Sequence, residues 1–183
     1  MTNPPERYIF KNVLSETDFQ KVSQVVLGSE IDWYFNPWVV NQEEEKDSTD
    51  FQFVHTVWKE EQGAVSHAFP AFYPLFEKLN IQHLLRAKLN LSTQTPEHIL
   101  RPFHTDLIDE VADLGWTAVY SFSDNNGCTV FEDDRAIPSR ANCLVLFKSN
   151  IKHAGVTATN INRRVVLNIN FLGKYLPENL EKF

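Results

Sequence analysis

A mainly antiparallel β fold of the sandwich or jelly-roll type, with helices gathered in the first half, is what this 183-residue sequence predicts. Three observations predict it. Apolar residues recur at helical spacing only before residue 86. From there the chain breaks into short β-type runs. Turn formers such as Asp124-Asn125-Asn126-Gly127 and Asp133-Asp134 separate those runs so closely that a parallel sheet with crossover helices is disfavoured.

Composition sets the outer limits. At 43% hydrophobic and 22% charged residues the chain is globular and can bury a core. No apolar run approaches the ~18–20 residues of a membrane helix, and the start MTNPPERYIF lacks the apolar stretch of a signal peptide. No membrane partner and a cytoplasmic location are therefore expected. With 17 Lys plus Arg against 24 Asp plus Glu, the formal charge of −7 argues against a nucleic-acid partner. Two cysteines, Cys128 and Cys143, are too few for a disulfide framework or a cysteine zinc site and suit a reducing compartment.

Taken in order, residues 4–14 read as an extended lead-in. Ser15 and Asp18 form a capping signal for a helix running to about Leu27, where Gly28 stops it; Phe19, Val22, Val25 and Val26 mark its apolar face. An aromatic stretch follows (Trp33, Tyr34, Phe35, Trp38). Then comes NQEEEKDSTD (41–50), read as a solvated loop or a lid. Residues 51–58 suit a strand and 69–78 a helix. The later strands are expected at 86–92, 99–107, 116–122, 128–132, 142–148, 153–159 and 163–172. The acidic cluster Asp109, Glu110 and Asp113 is expected to be loop carboxylates.

Of six histidines, His104 and His153 carry information. His104 and Asp106 stand one residue apart, so on extended backbone both point to one face. His153 begins another β run. Two imidazoles and a carboxylate converging in this way make the facial triad of non-haem Fe(II) sites, which leaves one face of the metal open. His55, His67, His83 and His98 are expected to be dispensable. The run 163–171 adds a second signal. Arg163, Val165, Leu167, Ile169 and Phe171 form an apolar register, while Arg164, Val166, Asn168 and Asn170 form one suited to a polar cavity. A guanidinium there suits a bidentate grip on a carboxylate.

With these residues in view, 86–171 resembles the double-stranded β-helix core (jelly roll, cupin-like) of the Fe(II)/2-oxoglutarate-dependent dioxygenases, in particular the prolyl-4-hydroxylase-like branch. The matching pieces are His104-Thr105-Asp106, Asn126 to Phe131, Leu144 to Phe147, His153 and Arg164 to Phe171. The segments AKLNL and NNGCTVFED are similar to small oxygenases of marine bacteriophages, which would place the protein in a host cytoplasm. The resemblance implies one oxygenase domain over 1–183: a helical support region (1–85), the β core (86–172) and a tail (173–183). It implies His104, Asp106 and His153 as iron ligands. Arg164 is implied as the anchor of the distal carboxylate of 2-oxoglutarate, with Arg163 open as an alternative because the spacing from His153 is one residue longer than usual. Asn90 and Asn168 are implied beside the co-substrate. Ser92 stands where the family often has a tyrosine, Lys88 shares the register of Asn90, and Tyr120 is a candidate for the missing hydroxyl. Its other reading is a core aromatic.

The implied cofactors are Fe(II), 2-oxoglutarate and O2, with ascorbate as an accessory reductant. Asp106 as a ligand favours hydroxylation over halogenation. The implied substrate is a peptidyl proline, hydroxylated at C4; a small metabolite, a free amino acid or a nucleobase is the alternative. Two rival readings are a jelly-roll binding module without activity and a zinc hydrolase on the same ligands, for which Arg164 would have no use.

Overall fold

The computed structural model describes residues 6–40, 50–173 and 181–183. Of the segment read as loop or lid, only Asp50 falls within them. The described elements are β1 (Arg7–Lys11), α1 (Glu16–Leu27), β2 (Tyr34–Asn36), β3 (Gln52–Lys59) and β4 (Gly63–Ala64). A 3₁₀ turn (Phe69–Phe72) runs into α2 (Tyr73–Lys78), followed by β5 (His83–Thr93), α3 (Asp109–Leu114) and β6 (Trp116–Ser121). The chain continues through β7 (Cys128–Phe131), β8 (Ala136–Pro138), β9 (Cys143–Lys148), β10 (His153–Val156), β11 (Arg163–Leu172) and β12 (Glu181–Lys182). A major sheet has the order β12-β1-β9-β6-β11-β5-β3-β2, with β4 paired to β3; a minor sheet has the order β10-β7-β8. The pairings are antiparallel.

Strand alternation builds two apolar layers. On the outer face of the major sheet, Val165, Leu167, Ile169 and Phe171 of β11 lie in one cluster with Ala87 and Leu89 of β5, Tyr120 of β6 and Leu144 and Leu146 of β9. Val22 and Val26 of α1, with Phe72, Leu75 and Phe76, cover this face. Each such burial is worth ~1.5–3 kcal/mol relative to exposure, which is why the helices stay on the sheet. Between the sheets a smaller cluster of Val119, Phe131, Val145, Phe147 and Val166 closes one end of the sandwich. The inner face beyond it is polar and forms the site.

Local signals placed α1 correctly. The Ser15 hydroxyl accepts from the Asp18 N–H at 3.1 Å, and the Gly28 N–H returns to Gln24 O at 3.0 Å. Three expectations need correction. The first half contributes three strands besides the one expected at 51–58, which is β3: β1 pairs with β9, and β2 and β4 pair with β3 on the other side of the sheet. Residues 99–107 are not a strand. Only isolated bridges at Leu100–Val156 and His104–His153 hold them, because Pro102 has no N–H to give a ladder. Asp109, Glu110 and Asp113 lie on α3 rather than in a loop, and Asp113 accepts from Asn150 Nδ2 at 2.8 Å.

Candidate metal centre

The bridge between His104 and His153 is the frame of the site. Each backbone N–H donates to the other residue's carbonyl at 3.0 Å, which sets the two side chains beside one another. Their ring centroids are 4.6 Å apart. His104 Nδ1 lies 3.1 Å from Pro102 O, and His153 Nδ1 lies 3.3 Å from Ile151 O. A carbonyl can only accept, so Nδ1 carries a proton in both rings, which leaves Nε2 as the atom that offers a lone pair to a metal in the neutral ring. The Phe147 ring packs edge-on against His153 at 4.6 Å and holds it in place. Burial also lowers the His153 pKa, which favours the neutral, ligating form.

Asp106 completes the set. Its Oδ2 is 3.7 Å from His153 Nε2, and one donor atom from each of His104, Asp106 and His153 lies within 4.8 Å of the others. Among the described residues this is the one such group. Arg86 Nη2 donates to Asp106 Oδ1 at 2.8 Å, and Asn168 Nδ2 lies 3.2 Å and 3.3 Å from its two oxygens. Burial by itself would raise the Asp106 pKa; His153, Arg86, His104 and the Asn168 hydrogen bond outweigh it and hold the carboxyl at about 2. Asp106 is therefore a carboxylate, with Oδ1 held by Arg86 and Oδ2 turned to the histidines. The donor set, two imidazole nitrogens and one carboxylate oxygen on one side of a cavity, fits a divalent ion with open positions. The other histidines are engaged elsewhere, His55 with Asp32 O and Ser66 Oγ, and His98 with Thr157 O.

The triad opens into a cavity of about 210 Å³. Arg164, Val166 and Asn168 of β11 line it, as do Arg86, Lys88, Asn90 and Ser92 of β5. These are the inward registers of two paired strands, with Arg164 opposite Ser92, Val166 opposite Asn90 and Asn168 opposite Lys88. Arg164 is 5% exposed; its Nε donates to Ser139 Oγ at 2.9 Å, and its Nη2 makes a long 3.5 Å contact with Cys128 O. Burial, then the nearby Arg101, lowers its pKa to about 10, so it is cationic at neutral pH. Gly127 makes room for it: a Cβ there would stand 2.7 Å from Arg164 Cδ and 2.9 Å from Val156 O. Arg163 points the other way, exposed, and donates to Leu27 O.

Asn90 and Asn168 both lie in the wall, and the Oδ1 of each is buried without a hydrogen-bond partner among the described residues. Asn170 sits just behind the wall, accepting from Arg86 Nε at 3.0 Å and donating to Thr117 Oγ1 at 3.0 Å. Tyr120 is a correction. It is fully buried in the outer cluster and its hydroxyl donates to Asn142 Oδ1 at 2.9 Å, while its neighbour Val119 faces the cavity. The hydroxyl expected near the co-substrate is not supplied by Tyr120.

Sequence reading missed Arg86, Arg101, Gln52 and Ser139. Arg86 was within reach, since it continues the alternation Lys88, Asn90, Ser92 by one step. Arg101 had no local signal. It is 7% exposed and paired with Asp50, 51 residues away, through bonds of 2.8 Å and 3.2 Å.

No family model matches the sequence, and neither does any curated protein. Solved structures match the fold. An oxidoreductase of the 2OG-Fe(II) oxygenase family from Burkholderia pseudomallei aligns over 95% of this chain and 89% of its own, with TM-score 0.61 and 7% identity. A prolyl hydroxylase from Trichoplax adhaerens, solved with a hypoxia-inducible-factor peptide fragment, aligns over 92% and 84%, with TM-score 0.60 and 13% identity. HygX from Streptomyces hygroscopicus, solved with nickel, 2-oxoglutarate and hygromycin B, aligns over 95% and 85%, with TM-score 0.55 and 9% identity. Two antiparallel sheets, helices over the major one and a His-x-Asp…His group at the inner face thus belong to a chain with the double-stranded β-helix fold of the 2-oxoglutarate–Fe(II) oxygenases.

Proposed function

We propose that this protein is an Fe(II)- and 2-oxoglutarate-dependent dioxygenase that hydroxylates an unactivated C–H bond. The observation that carries the proposal is the meeting, in one cavity, of the His104, Asp106 and His153 donors with the buried guanidinium of Arg164. Iron with 2-oxoglutarate and O2 would supply the oxidising chemistry, releasing succinate and CO2. The rest is done by this chain. His104 Nε2, His153 Nε2 and an Asp106 oxygen hold the ion. Arg86 and Asn168 fix the Asp106 carboxylate, and Arg164 orients the co-substrate by its far carboxylate. The apolar Val119 and Val166 in the wall exclude water from part of the cavity.

For the substrate, a peptidyl proline hydroxylated at C4 is the first candidate. The fold likeness to a prolyl hydroxylase solved with a peptide supports it. So does an exposed aromatic group at the edge of the sheet: Phe35 is 61% exposed and its ring packs 5.6 Å from Phe51 and 5.9 Å from Phe53, flanking the cavity residue Gln52. A small polar metabolite is the second reading, favoured by the charged and amide-lined β5 wall and by the fold likeness to HygX.

Two measurements test the enzyme. Fe(II) and 2-oxoglutarate added anaerobically should give a metal-to-ligand charge-transfer band, and aerobic incubation should form succinate, increased by the right member of a panel of proline peptides, amino acids and metabolites. Single alanine variants of His104, Asp106 and His153 should lose bound iron. A protein that binds iron in all three variants, or neither shows the band nor makes succinate, is not this enzyme.

A further inference from the structure

The described lining of the cavity carries more positive charge than a bound iron and co-substrate account for. Among the described residues four cations line it, Arg86, Lys88, Arg101 and Arg164, against one carboxylate, Asp106. Arg86 is matched by Asp106 and Arg101 by Asp50. Arg164 has no carboxylate partner among the described residues and is the residue assigned above to 2-oxoglutarate. Fe(II) and the dianion of 2-oxoglutarate cancel one another, so binding both still leaves two positive charges, Arg164 and Lys88; Arg164 has the distal carboxylate of the co-substrate against it, and Lys88 has no anion assigned to it.

Lys88 is unusual in its own right. It makes no hydrogen bond or ion pair with the described residues, yet it lies in the inward register of β5, and burial, then Arg86, brings its pKa down to about 8. A half-buried ammonium in a cavity wall, with no partner among the described residues, can take up an anionic group that enters the cavity. Lys88 stands opposite Asn168, the residue bonded to Asp106, whereas Arg164 stands opposite Ser92. Four strand residues separate these two levels, roughly 13 Å along the sheet. A 2-oxoglutarate held at Arg164 by its distal carboxylate does not also bring that carboxylate to Lys88.

We infer that Lys88 is an anion subsite for the prime substrate, which carries a carboxylate or a phosphate near the group to be oxidised. The inference rests on the enzyme reading above and narrows it to acidic substrates, whether an acidic metabolite or a peptide with an acidic group near its target residue.

The test needs no knowledge of the substrate. Protein with ¹³C-labelled lysine is loaded with Zn(II), a diamagnetic stand-in for Fe(II), and 2-oxoglutarate. Acetate, inorganic phosphate or uncharged acetamide is then titrated in while the Lys88 side-chain resonance, assigned with Lys88→Met, is followed. The resonance should move saturably with acetate or phosphate, with a millimolar Kd, and not with acetamide, while the other lysines show only the shallow drift of rising ionic strength. Acetate and phosphate arms separate the two anion types. In Lys88→Met and in Lys88→Gln the Kd for 2-oxoglutarate by calorimetry should stay within twofold of wild type. A Lys88 resonance indifferent to both anions overturns the inference while leaving the enzyme reading intact. A tenfold rise in the 2-oxoglutarate Kd of both variants overturns it too, since Lys88 would then grip the co-substrate. Failure of the wild-type Zn(II) protein to bind 2-oxoglutarate removes the enzyme reading and the inference with it.

Discussion

Replacing Arg164 with alanine is the sharpest test of how this cavity holds a co-substrate. The guanidinium is 5% exposed and kept in place from behind, by Ser139 Oγ on Nε at 2.9 Å and by the space Gly127 leaves for Cδ. Its Nη edge has only the 3.5 Å contact with Cys128 O to satisfy it, so a carboxylate arriving there meets a preoriented fork. A charge-assisted pair of this kind is worth about 1.5–3 kcal/mol in a shielded site. At 1.4 kcal/mol per decade that is about a ten- to hundredfold rise in the KM for 2-oxoglutarate. Fe(II) affinity should hardly change, because Arg164 touches none of the three donors. Arg164→Lys should recover part of the loss, since a point charge replaces a planar fork. Arg163→Ala loses only a surface bond to Leu27 O and should leave the KM near wild type. The assay is initial-rate succinate formation against 2-oxoglutarate concentration, with anaerobic titration of the charge-transfer band as an independent affinity. A large effect at Arg163 with none at Arg164 would refute the register on which the pocket assignment stands.

Arg86→Gln removes the 2.8 Å bond to Asp106 and should weaken Fe(II) or Co(II) binding about ten- to a hundredfold by calorimetry, as is usual for residues that orient metal ligands; unchanged affinity would show that Asn168 alone positions Asp106. Gly127→Ala should raise the 2-oxoglutarate KM several-fold with little change in metal binding, because its methyl displaces Arg164. Tyr120→Phe should lower stability by about 0.5–1.5 kcal/mol in urea unfolding, through loss of the hydroxyl bond to Asn142, and leave the KM for 2-oxoglutarate alone. Arg7 is buried and forms a two-bond pair with Asp133 at 2.9 Å and 2.6 Å; its hydrogen bond is the main reason the Asp133 pKa falls to about 2. A folded pKa below the unfolded value of about 4 adds stability that is complete above that pH and lost as pH falls toward about 2. The Tm gap between wild type and Asp133→Asn should therefore be open at neutral pH and close across that window; a gap independent of pH would dissociate the pair from acid stability.

What the sequence determined about this protein is what a strand's own geometry determines. Side chains alternate along β5 and β11, so Arg164 had to part from Arg163, and Asn90 had to share a side with Lys88 and Ser92; His104 and Asp106 also converge, although their segment is not a strand and Thr105 lines the cavity with them. Each of these separations is visible within a few residues and holds in the folded chain. The tertiary structure decided which side of each strand became the site. On β6 every residue is buried, Trp116 to Ser121; Thr117 and Ser121 share the register of Val119, but two buried hydroxyls do not by themselves mark a cavity, and it is the packing of the helices on the other side that shows Tyr120 to belong to the core and Val119 to the cavity. The same holds for partners far apart in the chain. His153 meets His104 through a bridge spanning 49 residues, Arg101 finds Asp50, and β1 pairs with β9 more than 130 residues later. Local preference is silent on such contacts, because their energy comes from closing the sheets around a common core and exists only once the chain has folded.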